Sequence, residues 1–183
     1  MMNDKTRNIL TVEDPIEYTI DGVSQTQVNA KVGMTFAKGL RAILRQDPNI
    51  IMIGEIRDLE TAEIAIQSSL TGHLVLSTVH TNDSVAAITR MRDMGVESYL
   101  LASTIKGVLA QRLVRRLCNK CKAIYNLESH FGSLKKGTKL YKPQGCGVCN
   151  ETGYLGRVGI FELFDMNNEI KEAINTESTE EKI

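Results

Sequence analysis

The sequence predicts an α/β fold in which a mostly parallel sheet is flanked by helices and followed by a small four-cysteine subdomain. Short apolar runs alternate with segments whose apolar residues recur every three or four positions, which is the order of buried parallel strands and covering helices. Three of the apolar runs end in polar residues that can take part in chemistry. The four cysteines form two C-x2-C pairs in the second half of the chain.

Composition limits the class of protein. The chain has 183 residues and is 42% hydrophobic, which suffices for one domain with a small appendage. Its 22 basic and 22 acidic residues balance, which argues against a strongly basic nucleic-acid surface but is compatible with a local basic patch. No apolar run reaches the roughly 20 residues of a membrane span, and the polar N-terminus lacks the apolar core of a signal peptide. We therefore predict a cytoplasmic protein.

The central stretch is an apolar strand that ends in an acid. Residues 50–53 are uninterruptedly apolar, as in a strand buried on both faces, and Gly54 then allows a turn before Glu55. Ligands of parallel sheets bind beyond the carboxyl ends of the strands, where an acid can hold Mg²⁺ or polarise a water molecule. This is the form of a Walker B element. The alternative is a buried strand that simply ends in a solvated glutamate.

Two other predicted strands also end in polar residues. The strand over 9–12 is followed by Glu13 and Asp14, and the strand over 74–79 leads to His80. The carboxyl ends of parallel strands lie along one edge of the sheet, so these side chains and Glu55 converge if the strands are neighbours. The alternative is coincidence.

Local signals define the remaining elements. Asp21-Gly22, between two strand-like segments, predicts a hairpin turn. Capping residues, apolar spacing and glycine stops predict four helices, and a fifth precedes the C-terminal tail. These helices cover 36–45, with Thr35 as N-cap and Arg41 and Arg45 on one side, then 58–72, 82–94, 99–113 and 168–174. Residues 153–164 predict a strand or hairpin.

The cysteine pairs predict a structural metal site. Cys118, Cys121, Cys146 and Cys149 leave 24 residues between the pairs, and two such knuckles can place four thiolates around one Zn²⁺ at ~2.3 Å. No fifth ligand accompanies them, which favours a closed site. The alternatives are buried free cysteines, a redox dithiol, or iron in the same shell. The intervening segment, with basic residues between 135 and 142, predicts a mobile, solvated loop.

Several motifs together resemble one family. VEDPIEY (12–18), the long stretch from Gly39 to Asn82, LAQRLVRRLC (109–118) with the paired cysteines, and GYLGRVGIFEL (153–163) closely resemble the ATPases of type II secretion and type IV pilus assembly. The resemblance covers about residues 8–174, and the type II secretion proteins look slightly closer. It implies a RecA-like P-loop NTPase core, a hexameric ring, Mg²⁺ and ATP as cofactors, and docking to an inner-membrane platform.

The resemblance also implies roles for individual residues. Glu13 would help to activate the attacking water and Glu55 would act on Mg²⁺ or water. The remaining residues would sense the γ-phosphate, shape the site or stabilise phosphoryl charge. These are His73 and His80 as γ-phosphate sensors, Asp14 and Glu17 as site-shaping acids, and Arg41, Arg45 and Arg157 as cations near the nucleotide.

One departure from the family pattern changes the prediction. The 183 residues contain no G-x-x-x-x-G-K-[ST] loop, which supplies the backbone cradle and the lysine that hold phosphates. In the family that loop lies upstream of the aspartate box, so the chain resembles the C-terminal part of such an ATPase. The strand that is missing would leave an unpaired sheet edge.

The predicted organisation has three parts. Residues 1–116 form the C-terminal part of the RecA-like core, 117–157 the zinc subdomain, and 158–183 a C-terminal strand, helix and tail. The first predicted function is ATP hydrolysis that powers secretion or pilus assembly, with this chain as a part of a hexameric motor peripheral to the inner membrane. The second is a catalytically inactive, zinc-stabilised module that binds proteins of the same machinery. A zinc-ribbon nucleic-acid binder is the third, supported only by the cysteines and the basic segment.

Overall fold

A computed structural model describes residues 2–179 and contains eight strands and five α-helices within them. The strands are β1 Ile9–Glu13, β2 Ser24–Gln27, β3 Ile50–Ile53, β4 Leu74–Ser77, β5 Gly107–Leu117, β6 Ala123–Asn126, β7 Lys139–Lys142 and β8 Tyr154–Asp165. The helices are α1 Phe36–Ile43, α2 Leu59–Leu70, α3 Ser84–Asp93, α4 Ser98–Thr104 and α5 Asn168–Asn175. No helix among these residues is long and apolar enough to cross a bilayer.

The chain forms two compact units. The first comprises residues 2–110 and 163–179, and the second residues 111–162. The predicted α/β class is confirmed in the first unit, where β1, β2, β3 and β4 form a parallel sheet in the order β2-β1-β3-β4. The strands that precede Glu13, Glu55 and His80 are therefore neighbours, as convergence requires.

Side-chain caps start the helices where the sequence predicts. The hydroxyl of Thr35 accepts a hydrogen bond from Lys38 N at 3.2 Å, and the carboxylates of Asp58 and Asp83 accept from Thr61 N and Ala86 N at 2.8 Å each. Each cap satisfies one backbone donor that the helix leaves unpaired. The caps thus fix the directions in which the chain leaves β2, β3 and β4.

One face of the sheet carries the core. Leu10, Val12, Ile51 and Ile53 are at most 2% exposed and pack with apolar residues from the helices. Helix α1 approaches β1 closely because it presents Gly39, where a Cβ atom would lie only 2.9 Å from Val12 Cγ1. Helix α5 joins the same core through Ile174, which is fully buried.

The predicted hairpin around Asp21-Gly22 is wrong. A turn is present there, with Gly22 at φ 80° and Val23 N donating to Ile20 O at 3.2 Å, but β2 pairs with β1 in parallel. A parallel pair needs a return connection, which residues 14–23 provide. The turn signal was therefore correct locally and misleading about topology.

The predicted helix over 99–113 is present only in its first part, and its second part is wrong. Helix α4 ends at Thr104, and β5 begins at Gly107 and pairs with β8. Gly107 disfavours a helix interior, and the β-branched Val108 and Val114 favour a strand. The C-terminal helix and the strand over 153–164 were predicted correctly, as α5 and β8.

The second unit contains a small antiparallel ribbon where a loop was predicted. Strands β6 and β7 pair antiparallel, with Ala123 opposite Lys142 and Asn126 opposite Lys139. Lysines lie over tyrosine rings across this ribbon, Lys122 Nζ being 4.8 Å from the centroid of Tyr141. The segment between the cysteine pairs is therefore partly ordered by strand pairing and cation–π contacts.

The neutral total charge conceals an uneven distribution. Residues 111–162 contain ten basic and three acidic side chains, whereas the remainder of the sequence contains twelve basic and nineteen acidic ones. The second unit is therefore strongly basic before any metal or thiolate charge is considered. Composition of the whole chain alone does not reveal this.

Candidate functional site

The carboxyl ends of β1 and β3 are in close contact. Gly54 N donates to Val12 O at 2.8 Å, and a Cβ atom on Gly54 would lie 3.3 Å from both Glu13 Cα and Val12 O. A side chain at this position would press on the backbone of β1. Glycine therefore allows Glu55 to emerge directly beside the end of β1.

Glu55 is the centre of a charged cluster formed with Arg57 and His80, here called the Glu55 cluster. Its carboxylate is 12% exposed and accepts a hydrogen bond from Arg57 Nη2 through Oε1, while His80 Nε2 lies 3.3 Å from Oε2. The Arg57 hydrogen bond, chiefly, lowers the pKa of Glu55 although burial opposes it, and His80 adds to the lowering. Glu55 is thus held as a carboxylate with a cation on one oxygen and an imidazole on the other.

A threonine that sequence analysis did not identify fixes this turn. Thr78 Oγ1 donates to Gly54 O at 2.5 Å, and Ile56 N donates to Thr78 O at 3.1 Å. These bonds join the turn after β3 to the chain leaving β4, two residues before His80. No pattern in the sequence marks Thr78, because its partners are backbone atoms distant in the chain.

Glu13 lies at the end of β1 and is 8% exposed. Its Oε1 accepts hydrogen bonds from Thr11 Oγ1 at 2.6 Å and from Gln25 Nε2 at 2.8 Å. Asp14 is exposed and close enough to Arg57 to raise the pKa of that guanidinium, after the larger effect of Glu55. The structure therefore brings Glu13, Asp14, Glu55 and His80 to one edge of the sheet.

Other candidate residues lie elsewhere. His73 precedes β4, so it lies at the opposite end of that strand from His80, and its Nδ1 is 2.9 Å from Ser68 O and 3.1 Å from Thr71 Oγ1. Arg41 forms a salt bridge of 2.8 Å with Glu60 on α2. The structure does not bring either residue into the Glu55 cluster, and their nucleotide roles remain predictions.

Three further candidates also remain predictions. Arg45 is exposed in the 3-10 turn Leu44–Gln46, which leads to the amino end of β3. Glu17 is exposed in the segment between β1 and β2. Arg157 belongs to β8 within the second unit.

The four cysteines form a cluster that fits a tetrahedral metal site. The Sγ atoms of Cys118 and Cys146 lie 4.0 Å apart, those of Cys121 and Cys149 3.8 Å, and those of Cys146 and Cys149 3.8 Å. A tetrahedron with metal–sulfur bonds of ~2.3 Å has sulfur–sulfur edges of about 3.8 Å. All four cysteines are free of disulfides, and all four sulfurs lie within 4.8 Å of one another, so the cluster could hold a metal ion.

Backbone hydrogen bonds to the sulfur of Cys149 favour its thiolate form, which is the form that binds a metal ion. Cys149 Sγ accepts hydrogen bonds from Cys146 N at 3.3 Å and Gly153 N at 3.2 Å. Burial works against ionisation, but these donors together with the neighbouring thiols lower the pKa of Cys149 to about 7. Burial, together with the neighbouring thiols, raises the pKa of Cys121 to about 12, and a bound metal cation would favour its thiolate.

A comparison with protein families decides the assignment. The family model described as "Type II/IV secretion system protein" matches residues 1–183, the whole chain. The chain belongs to this family. Curated proteins similar to this chain include the type II secretion system protein E of Pseudomonas aeruginosa, which is 57% identical over 187 residues covering 100% of this chain and 37% of that protein. The type II secretion system ATPase E of Vibrio cholerae is 58% identical over 185 residues, covering 98% of this chain and 37% of that protein.

Two solved ATPase structures are similar to this chain in fold. The pilus retraction motor PilT, solved with bound ADP, matches with a TM-score of 0.67 and 30% identity over 93% of this chain and 42% of that one. The Legionella pneumophila ATPase DotB matches with a TM-score of 0.63 and 25% identity, over 98% and 42% of the two chains. The predicted family is therefore confirmed. The chain spans little more than a third of the length of the curated relatives.

Proposed function

We propose that the chain is the C-terminal part of a hexameric ATPase that powers pseudopilus assembly in type II secretion, or type IV pilus assembly, by hydrolysing Mg-ATP. The observation that carries this proposal is the Glu55 cluster beside Glu13 at the carboxyl edge of a parallel sheet, in a member of the secretion-ATPase family. Ligands of such sheets bind at this edge. We assign the assembled motor to the cytoplasmic face of the inner membrane, docked on a platform protein of the machinery.

The residues of this edge fit a magnesium nucleotide. Carboxylate oxygens from Asp14 and Glu55 are the ligands that Mg²⁺ prefers, and ATP supplies the phosphoryl group that is transferred. With Mg-ATP bound, Glu55 would hold the metal ion or its water, and His80 would position the γ-phosphate. Glu13 orients and activates the attacking water. Catalysis of phosphoryl transfer rests on such positioning and on charge stabilisation.

In this proposal, the loop that binds the nucleotide phosphates belongs to another part of the protein. The 183 residues lack a G-x-x-x-x-G-K-[ST] loop, and β4 is an edge strand of the sheet within the described residues. Leu74 and Leu76 of β4 are 42% and 37% exposed, and a groove of about 550 Å³ runs along this strand. A further strand paired with β4 would satisfy its free backbone edge.

We propose zinc as the metal of the cysteine cluster, with a structural role. Four thiolates in a closed shell are typical of structural Zn²⁺, and no fifth ligand group lies with them among residues 2–179. Cys118 and Cys149 are 0% and 4% exposed, so a bound ion would be shielded from substrate. The ion would stabilise the basic second unit, whose small ribbon has little apolar core of its own.

Replacement of Glu55 tests the catalytic assignment. In the complete protein, Glu55→Gln should lower ATP turnover about 10²- to 10³-fold, because the variant keeps the shape of the side chain and loses its charge. Glu63→Gln is the matched control, since Glu63 is exposed on α2 outside the cluster. Equal turnover in both variants would contradict the assignment and favour a catalytically inactive interaction module.

A further inference from the structure

The two hydrogen bonds that the Glu13 carboxylate accepts both go to the same oxygen, Oε1. Thr11 Oγ1 and Gln25 Nε2 both bind Oε1, at 2.6 and 2.8 Å. Within the described residues 2–179, no hydrogen bond or ion pair engages Oε2, and this atom is not among the buried polar atoms that lack a partner. Oε2 therefore keeps access to solvent at the edge of the sheet, while Oε1 is fixed by the fold.

Gln25 is itself held in one orientation. Its Nε2 donates to Glu13 Oε1 and to Tyr18 O at 3.0 Å, and its Oε1 accepts from Ile20 N at 2.8 Å. Turning the amide over would place its oxygen against two acceptors and its nitrogen against a donor. The assignment of the amide is thus determined by three partners, and both of its donor hydrogens are used.

We propose that Gln25, together with Thr11, is a positioning residue for catalysis. It holds Oε1 of Glu13 so that Oε2 faces the attacking water. This inference rests on the proposed function, which gives Glu13 the role of activating that water. Gln25 acts through Glu13 and does not contact the substrate. Thr11, Glu13 and Gln25 lie on one face of β1 and β2, since Thr11 pairs with Gln25 in the parallel register and Glu13 follows two residues after Thr11.

Loss of the Gln25 amide should affect the chemical step more than binding. The terminal torsion of a glutamate is broad, so a carboxylate without fixed partners samples many orientations. Loss of orientation in a reactive group lowers the rate of the chemical step and leaves nucleotide affinity in place. We expect Gln25→Ala to lower kcat about 10- to 100-fold with KM for ATP nearly unchanged.

The chain offers a matched control. Gln27 is the same residue type on the same strand and face, but the one side-chain hydrogen bond found for it within residues 2–179 is a long one, which its Oε1 accepts from Ile16 N at 3.4 Å, and not one to the Glu13 carboxylate. Gln27→Ala should keep wild-type kcat. Gln25→Glu keeps the acceptor for Ile20 N but sets a carboxylate against Glu13, so it should lower kcat further than Gln25→Ala.

The experiment measures ATP turnover in four variants of the complete protein. Three are the single variants Gln25→Ala, Gln27→Ala and Glu13→Gln, and the fourth combines Gln25→Ala with Glu13→Gln. If Gln25 acts through Glu13, the double variant should turn over as slowly as Glu13→Gln alone. Equal kcat for Gln25→Ala and Gln27→Ala would overturn the inference, and so would additive losses in the double variant.

Two further results separate this inference from the proposed function. Wild-type turnover in Glu13→Gln would remove the proposed role of Glu13, and the inference with it. A low kcat in Glu13→Gln with an unchanged kcat in Gln25→Ala would overturn only the inference. Thr11→Val, which keeps the side-chain shape and removes the other bond to Oε1, provides the second variant if Gln25→Ala fails to fold.

Discussion

His80 Nε2 lies 3.3 Å from Oε2 of Glu55, and this contact joins the residues that follow two neighbouring parallel strands, β4 and β3. The imidazole is 87% exposed, so it is free to face a ligand outside the sheet. Thr78, two residues before His80, forms hydrogen bonds with the backbone on both sides of Glu55 and so fixes the turn after β3. In the proposed function, this pair lies where the edge of the sheet would meet the nucleotide.

Replacing His80 should slow hydrolysis in the complete protein. We expect His80→Ala to lower kcat about 10²-fold, because a hydrogen-bond donor directed at developing phosphoryl charge is lost. Phosphate release under saturating Mg-ATP measures the effect. His130→Ala, an exposed histidine in the second unit, is the control and should keep wild-type turnover. Turnover of His80→Ala within twofold of this control would contradict the role.

The lowered pKa of Glu55 predicts a pH dependence of stability. Its ordinary value is 4.5, and the folded value is lower chiefly because Arg57 binds the carboxylate. The stabilising contribution is therefore complete above about pH 4.5 and is lost as the pH falls through the lowered value. Between about pH 6 and pH 3.5, wild-type protein should lose more stability toward urea than Glu55→Gln. Equal losses in the two proteins would show that the Arg57 contact does not stabilise the fold.

Most of the first unit could be predicted from local sequence. The apolar runs at β1, β3 and β4 and the caps at Thr35, Asp58 and Asp83 are local signals, and parallel pairing then places Glu13, Glu55 and His80 on one edge. The parallel pairing of β2 was missed because a turn signal at Asp21-Gly22 says nothing about where the next strand pairs. Thr78 and Gln25 were missed because their partners are brought close only by the fold.

The second unit, and the segment of the first unit that leads into it, were harder to predict. Helical spacing over 99–113 competes with strand propensity, and the choice depends on pairing with β8, far along the chain. Strands β6 and β7 are four residues each, too short to give a strong periodic signal. The cysteine cluster, by contrast, was predicted from two C-x2-C pairs, because that spacing brings the two sulfurs of each pair together, and the fold then brings the pairs to each other.

Metal analysis tests the cysteine cluster. Elemental mass spectrometry of the purified chain should find one equivalent of zinc, and Cys149→Ser should lose most of it, because the sulfur that two backbone donors prepare is removed. Val148→Ser changes an exposed residue of the same turn and should retain the metal. Iron in place of zinc would correct the identity of the metal, and a metal-free wild-type protein would refute the site.

The contact between α1 and β1 predicts a cost for a methyl group at Gly39. Alanine favours helix formation by up to about 1 kcal/mol over glycine, but its Cβ would lie 2.9 Å from Val12 Cγ1 inside the core. Overpacking of this kind costs about 1–3 kcal/mol, so Gly39→Ala should lower the free energy of unfolding measured by urea titration. Lys38→Ala, on the exposed side of the same helix, should change it little. A higher free energy of unfolding in Gly39→Ala would contradict this prediction and would show that the Val12 side chain moves aside without loss of stability.

In the proposed function, this chain carries the acids and the histidine of the nucleotide site, while the loop that binds the phosphates lies elsewhere in the protein. Calorimetric titration of Mg-ATP into the zinc-loaded 183-residue chain and, in parallel, into the complete protein tests this division. We expect binding at micromolar nucleotide to the complete protein and none to the chain at millimolar nucleotide. Micromolar binding by the chain alone, or no binding by the complete protein, would contradict it.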